Sequence, residues 1–501
     1  MRRKTGKKKW MTRRRAKFLG TLIAGGLLLG LPFLLPGPKP PSVGFSRQTE
    51  AFPCPPERIE LLIDSTGYHP ETGERILDHE IFDRVLDLIV RADDFIFIDF
   101  FLWNPWTGTT GERERELALE LAGALIAKRL ENPDLPILVL TDPINRIYGQ
   151  DQSGFFNSMA ASGIPVVFSD LARLPDSNRI YAPLARFYGP LVSVLLTPTG
   201  VLDRRWLKNP FDLDLEPISL RQYGRMLFFK ANHRKVVVTR SDELGIEMVV
   251  GSLNPSDGSA ANSNLAVHLS GPAAQAALGT ELSIARWSAT SDTVLSDHPD
   301  RLDDTIRTIL GRTSMAWDDY LTSGSTARIT WLTESKIRDA ILDAFATAGP
   351  GDAIDIAMFY LSDRKVVRAI KAATRRGVRV RMVLDANRDA FGRTKIGIPN
   401  RPVAAELMGL AEKHPLEIRW ADTRGEQFHP KAMLVRRQDG KGDLLLIGSA
   451  NWTRRNLADL NLEGDVLITD PGPAAEDFRT WFNQVWLNAE SDRSLDYEKW
   501  G

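Results

Sequence analysis

The sequence predicts an α/β protein of two similar halves, each a mostly parallel or mixed sheet flanked by helices, after one N-terminal transmembrane helix. Three observations lead there. Amphipathic stretches alternate with short apolar runs in the same order twice, a short signature recurs once in each half, and an uncharged run follows a strongly basic N-terminus.

From the N-terminus, residues 1–17 contain ten Lys or Arg and no acid, which reads as a basic cytoplasmic tail. The Leu/Gly-rich run from Phe18 to Leu35 is just long enough to cross a bilayer, giving an anchor over 18–36. A cleaved secretory signal is the competing reading, but no small-x-small cleavage site follows. Residues 37–56 are Pro-rich and read as a stiff tether, and Cys54 is the only cysteine, which excludes an intramolecular disulfide. Positive flanks stay cytoplasmic, so the body is expected in the periplasm or outside the cell.

The first half spans 57–325. Ile81 to Val90 has helical periodicity and leads into the buried-strand run Phe95 to Phe101; a helix from Leu117 to Leu130 precedes the strand Ile137 to Asp142. The second half, 326–490, repeats the order: Ile337 to Ala346 before Ile354 to Phe359, then Val366 to Thr374 before Val378 to Asp385, with 491–501 as a tail. Ile164 to Phe168 corresponds to Leu416 to Trp420. Beyond them the halves diverge, because 62 residues separate Asp170 from His233 while six separate Asp422 from His429. The excess is an insertion at 171–226, rich in aromatics, aliphatics and prolines. It is expected either to pack on the first half or to serve as a lid or bilayer-contacting element.

The signature is His233-Arg234-Lys235, an apolar run and Gly251-Ser252-Leu253-Asn254; its second copy is His429-Pro430-Lys431, an apolar run and Gly448-Ser449-Ala450-Asn451. The Gly-Ser-x-Asn begins 18 residues after the first histidine and 19 after the second. One copy would be weak evidence; two with matched spacing imply one site built from two halves. An imidazole can attack phosphorus or deliver a proton near neutral pH. A lysine two residues along a strand points to the same face and can neutralise phosphate oxygens. Ser252, Asn254, Ser449 and Asn451 supply donors for the remaining oxygens.

These motifs resemble those of the phospholipase D superfamily, whose members carry two His-x-Lys-(x)4-Asp motifs, each followed by Gly-Ser/Gly-x-Asn. The second half, from Phe428-His429-Pro430-Lys431 through Gly448 to Leu457 and Asn461-Leu462-Glu463, is similar to the lipid-handling branch that includes cardiolipin synthases and phospholipases D. The resemblance implies a phosphohistidine intermediate formed without metal or other cofactor, then transfer to water, an alcohol or a lipid acceptor. It also implies His233 as nucleophile, His429 as acid and base held by Glu463, and Lys235 and Lys431 on the equatorial charge. Arg454, Arg455 and Asn264 are the expected further contacts to substrate. Two departures stand out. Arg240 and Arg436 occupy the aspartate positions, where Asp242 or Asp439 could substitute only through a bulge. Asn264 stands where the second copy has Glu463, leaving only Glu463 as an anionic partner for an imidazole, by this reading that of His429.

The chain has 64 basic and 64 acidic residues, but without its first 17 residues the balance is 54 to 64, or −10. An acidic, anchored body argues for a phospholipid partner in the membrane over nucleic acid, which normally meets a basic surface. A phospholipase D-type endonuclease and a catalytically impaired binding protein are the alternatives. His69 and His79 lack zinc-type spacing, so no metal site is expected.

Overall fold

In the computed structural model, the described residues are 29–107, 113–147, 154–210, 215–290, 292–298, 300–314, 327–387, 389–390, 393–394 and 396–499. The basic tail and most of the expected anchor lie outside them. Leu31–Leu34 forms a 3-10 turn at the end of the apolar run, and among the described residues no helix is long and apolar enough to cross a membrane.

The helical periodicity read from the sequence has a physical counterpart in burial. Ile81–Arg91 buries Ile81, Phe82, Val85, Leu88 and Ile89, a single stripe, and leads into Phe95–Phe100, buried on both faces. In the second half Asp363 caps Arg364–Arg375 by accepting from the Lys365 and Val366 amides, and that helix feeds Arg379–Leu384.

Two nine-stranded mixed sheets result. Inside the edge strands, which are Val294–Leu295 and Arg75–Asp78 in the first sheet and Ser494–Asp496 and Phe52–Cys54 in the second, the first runs from the parallel side Val166–Phe168, Ile137–Thr141, Phe95–Phe100, Lys235–Ser241, Gly245–Gly251, Asn264–Ser270, Ile59–Tyr68. The second repeats that order with Leu416–Ala421, Arg379–Leu384, Ala353–Met358, Lys431–Arg436, Leu444–Gly448, Gly464–Thr469, Ala327–Thr333. The three strands at the crossover-helix end are parallel in each sheet, and the strand after each His-x-Lys runs antiparallel to its neighbours. The α/β expectation of two like halves therefore holds over these seven strands, and the edge strands differ.

Helices 81–91, 117–131 and 154–161 cover the outer face of the first sheet, and 335–347, 364–375 and 400–408 that of the second. A middle core takes residues from both sheets, such as Val236, Val250, Leu434 and Ile447, with Pro272–Ser288 and Pro473–Leu487. The expected tether 37–56 is partly structured. Phe52–Cys54 pairs antiparallel with Ala327–Ile329, so a segment preceding the first half forms an edge strand of the second sheet. Its brevity suits an edge, where Pro53 needs to donate no ladder bond, and Cys54 is buried.

Two units are distinguished by chain contacts. The sheets and their helices make one, and, among the described residues, 29–39, 175–207 and 217–229 make the other. The smaller unit contains most of the insertion. It has a helix Tyr181–Leu196, a short hairpin of Arg205–Leu207 with Ile218–Ser219, and a helix Leu220–Met226 whose Ser219 and Gln222 form a reciprocal capping box.

Candidate functional site

Both histidines sit immediately before strands that begin at their lysines, and both are buried at 7 and 6 % exposure. What joins them is a pair of parallel bridges between the halves, Asn232 with Leu462 and Ser263 with Phe428. The His233 amide donates to the Leu462 carbonyl and the His429 amide to the Ser263 carbonyl, each at 2.9 Å. In a parallel bridge the next residues along also sit side by side, so Glu463 meets His233 and Asn264 meets His429.

The histidine partners are thus exchanged relative to the sequence expectation. Glu463 Oε2 lies 2.9 Å from His233 Nδ1, and Asn264 Oδ1 lies 3.1 Å from His429 Nδ1. Glu463 does not hold His429, and Asn264 orients a histidine as an amide acceptor. With Nδ1–H donating in each ring, Nε2 carries the lone pair of the neutral tautomer, an assignment that follows from the partners.

The Gly-Ser-x-Asn turns also do something other than expected. Ser449 Oγ donates to Glu463 at 2.6 Å and accepts from the Gly464 amide, while Ser252 Oγ donates to Asn264 at 3.0 Å and accepts from the Leu265 amide. Both hydroxyls are engaged in fixing the histidine partners instead of pointing at a phosphate, because a fully buried hydroxyl must satisfy donor and acceptor together. The glycines before them admit this packing: a Cβ on Gly251 would lie 2.4 Å from the Ala266 Cβ, and one on Gly448 would collide with Asp465. Asn254 accepts from the Leu102 amide at 3.3 Å, and Asn451 is buried in the equivalent turn.

Each lysine returns to its own histidine. Lys235 Nζ donates to the His233 carbonyl at 2.6 Å and Lys431 Nζ to that of His429 at 2.5 Å. Phe101 packs on His233 with centroids 4.9 Å apart and holds Lys235 Nζ 5.3 Å from its ring; Phe359 does the same for His429 at 4.8 Å and Lys431 at 5.1 Å. Burial, then repulsion from the lysines, pushes both imidazoles well below their usual value. Burial also lowers Lys235 to about 7 and drives Lys431 well down, and it raises Glu463 and Asp465 to about 7. The pocket has charges to share but little water to stabilise them, a setting in which a bound anion would restore the cations.

Arg455 is exposed at the N-terminal turn of Arg454–Leu457, and its charge reaches His233; Arg454 is exposed on the same turn. Arg240 and Arg436 are not at the site. Each is five residues along its strand from the lysine, about 16 Å away at the usual rise. Arg240 pairs with Asp94 at 2.8 Å and Arg436 approaches Asp355 at 3.6 Å. No bulge brings Asp242 or Asp439 back, since the Lys235–Ser241 and Lys431–Arg436 ladders run in unbroken register.

Several site residues escaped sequence reasoning. Asp142 accepts from the Asn232 amide and Asp385 from the Phe428 amide, at 2.7 and 2.8 Å, holding the residue before each histidine. Both end the strand runs Leu140-Thr141-Asp142 and Val383-Leu384-Asp385, so aligning the repeats would have found them. Beneath the first histidine, Arg234 is fully buried between Glu281 at 3.1 Å and Glu334 at 2.7 Å; Glu334 also accepts from the Glu463 amide at 3.0 Å. Pro430 in the second copy has no such role, and only the difference between the two copies hinted at it. Among the described residues no cluster of His, Cys, Asp and Glu could hold a metal ion.

Residues 341–486 match the model of the family described as cardiolipin synthase, PLD-like domain. A 152-residue stretch is 28% identical to the human mitochondrial cardiolipin hydrolase; it covers 30% of this chain and half the length of that relative. The crystal structure of the phosphatidylserine synthase of Haemophilus influenzae superposes with a TM-score of 0.51 at 15% identity over 89% of both chains, a likeness of fold. A phospholipase D family member from Salmonella typhimurium, Nuc, aligns 98% of its chain with 34% of this one at 21% identity and a TM-score of 0.26. Motifs and the match of residues 341–486 agree: the chain resembles the phospholipase D superfamily.

Proposed function

We propose that this protein is a phospholipid phosphodiesterase or phosphatidyltransferase of the phospholipase D type, phospholipase D or cardiolipin synthase-like, acting through a phosphohistidine. The observation that carries the reading is the meeting of two His-x-Lys pairs across one inter-half junction, with a carboxylate on Nδ1 of only one histidine. A carboxylate both fixes the tautomer and stabilises the cationic ring that forms when Nε2 bonds to phosphorus, so His233 is the nucleophile. An amide fixes the tautomer alone, which suits a ring that passes a proton.

With substrate bound, the phosphate's negative charge favours the imidazolium form of His429, which takes up a proton from solvent on Nε2; His233 Nε2 then attacks phosphorus, the P–N bond forms, and the P–O bond to the departing alcohol breaks as His429 Nε2–H delivers it that proton. His429 then takes a proton from water or an acceptor alcohol, whose oxygen attacks phosphorus and releases His233. Lys235 and Lys431 regain full charge against the phosphate, Arg455 lies within electrostatic reach, and Asn254 and Asn451 border the same turns. We place the protein at a membrane by a single N-terminal anchor at 18–36, basic tail cytoplasmic and body periplasmic or extracellular, because ten cations precede the apolar run.

The test is incubation of detergent-purified protein, beside His233→Ala and His429→Ala, with phosphatidylglycerol and phosphatidylethanolamine, followed by mass spectrometry. Cardiolipin formed only by the unsubstituted protein identifies a transferase, and phosphatidic acid a hydrolase. Histidine-dependent cutting of single-stranded DNA without lipid turnover would replace the proposal by a nuclease. Silence on both substrates would leave a binding protein.

A further inference from the structure

The Tyr181–Leu196 helix lacks a core-facing stripe. Of its 16 residues only Ala182 is buried, and over its last turns Leu191, Val194 and Leu195 are 57, 74 and 62 % exposed, with Val192 and Leu196 also exposed. At the angular step of an α-helix these positions spread over about 200° of the circumference, wider than the stripe of about 100° that one neighbouring helix or sheet would cover. The same unit exposes Trp206 and Tyr223, and Leu31–Leu34, which contacts this helix, exposes Phe33 and Leu34. A monomer in water does not ordinarily carry so much adjacent apolar surface.

Charge identifies the occupant. The segments 175–207 and 217–229 hold six arginines and two aspartates, and both aspartates are already paired, Asp176 with Arg186 and Asp203 with Arg221. A net +4 therefore sits on an apolar element of a chain whose residues after the first 17 sum to −10. Arg179, Arg204, Arg205 and Arg225 are exposed. Arginine rims, an exposed Trp and Tyr, and an apolar helix of 16 residues, about 24 Å long and so shorter than a bilayer core, fit an element that lies on a membrane rather than crossing it.

We propose that this unit docks on an anionic phospholipid bilayer, with the last turns of the Tyr181–Leu196 helix and Trp206 at the headgroup boundary and its arginines on lipid phosphates. The contact is lateral and additional to the N-terminal anchor. It holds whether the body is a hydrolase, a transferase or a binding protein, and its test reads no turnover.

Cys54 is the only native cysteine and is buried, so Val194→Cys introduces the one exposed thiol for an environment-sensitive fluorophore. Full-length labelled protein is placed in nanodiscs of phosphatidylcholine alone or mixed with phosphatidylglycerol, beside a Glu131→Cys control on the larger unit. The expected result is a blue-shifted Val194 probe in anionic discs, quenched most by lipids spin-labelled near the carbonyl, with the control unchanged. Adding Arg204→Gln and Arg205→Gln should lower the docking equilibrium constant about five-fold per arginine. A solvent-like, unquenched probe overturns the proposal. So does a blue shift that no lipid label quenches, which would mean a protein occupant such as the N-terminal run or a second copy, and so does deepest quenching at the chain ends, which would mean a spanning helix.

Discussion

Replacing Glu463 by glutamine isolates the charge on His233 with almost no change of shape. Glu463 Oε2 lies 2.9 Å from His233 Nδ1 and 2.6 Å from Ser449 Oγ, while Oε1 accepts from Asn456 Nδ2 and lies 3.5 Å from Asn461 Nδ2. All four partners donate, so a carboxylate satisfies them and an amide must turn its NH2 toward one pair. At 2.9 Å, opposite unit charges attract by about 6 kcal/mol with an effective dielectric near 20. A neutral hydrogen bond keeps part of that, leaving a loss of about 3 to 5 kcal/mol once the ring is cationic. The proposed scheme then predicts a fall in kcat of about a hundred- to a few-thousand-fold, with KM changed less than about three-fold, because the charge is needed only as the P–N bond forms. Since Glu463 titrates at about 7, wild-type activity should decline as pH falls through that value and the carboxyl protonates, and the glutamine variant should lose that limb. Initial rates on phosphatidylglycerol vesicles across about pH 5 to 9, with thermal melts as a folding control, make the measurement. A variant within about ten-fold of wild type, beside an Asn264→Ala that falls further, would refute the assignment and give His429 the nucleophile's part.

Three further outcomes follow from the same contacts. Restoring the family aspartate by Arg240→Asp or Arg436→Asp should leave kcat within about three-fold, because both positions lie at the far ends of their strands; Arg240→Asp should lower the urea midpoint by the equivalent of about 1 kcal/mol through loss of the half-exposed pair with Asp94. Arg234→Met should cost about 3 to 5 kcal/mol in urea unfolding, since it strands Glu281 and Glu334 in a fully buried site, and adding Glu281→Leu should recover part of the loss. His268 lies 3.0 Å from Glu247 and 3.3 Å from Glu60; it is partly desolvated, but its bonds to these carboxylates raise its pKa overall. Its stabilising contribution is complete below the unfolded value of about 6.5 and disappears as pH rises through the folded one, so His268→Asn should flatten the decline of the urea midpoint above neutral pH.

The elements near the site were legible because each announces itself locally. Phe95–Phe100 is a continuous apolar run of β-formers, and the helix that precedes it places a buried residue at every three to four positions. The histidines and lysines were legible because the motif occurs twice. Three kinds of feature were not. The exchange of Glu463 and Asn264 depends on the two parallel bridges, which are contacts between residues about 165 to 230 apart. Ser252 and Ser449 were expected on phosphate because a Gly-Ser turn offers donors, yet burial forces each hydroxyl to satisfy its own neighbours first. Phe52–Cys54 was read as tether because Pro dominates the segment, and its partner strand begins about 270 residues later. The smaller unit was visible as an excess of residues between matching strands; its exposed helix was not, because an apolar run looks the same in sequence whether it faces a core or a lipid.

The exchanged partners also explain how one chain can hold two unequal histidines. Each half supplies a histidine and the group that orients the other half's histidine, so neither copy contains a finished pair. If the first copy carried an acid at Asn264, the two imidazoles would be backed alike and either could attack. The amide removes the charge from His429 alone while leaving Ser252, Lys431 and Phe359 arranged as their counterparts around His233 are. The fully buried Arg234, with Glu334 reaching the Glu463 amide, reinforces the carboxylate's side of the junction, where the second copy has only Pro430. The departure from the family pattern at residue 264 is therefore better understood as fixing which histidine can stabilise a positive charge than as damage to the site. Asn264→Asp should, on the proposed scheme, raise the pKa of His429 and move the alkaline limb of the rate profile upward without abolishing turnover. Loss of activity there, with the fold intact, would show that the amide's Nδ2–H bond to the Asn262 carbonyl at 3.0 Å matters more than the charge on the ring.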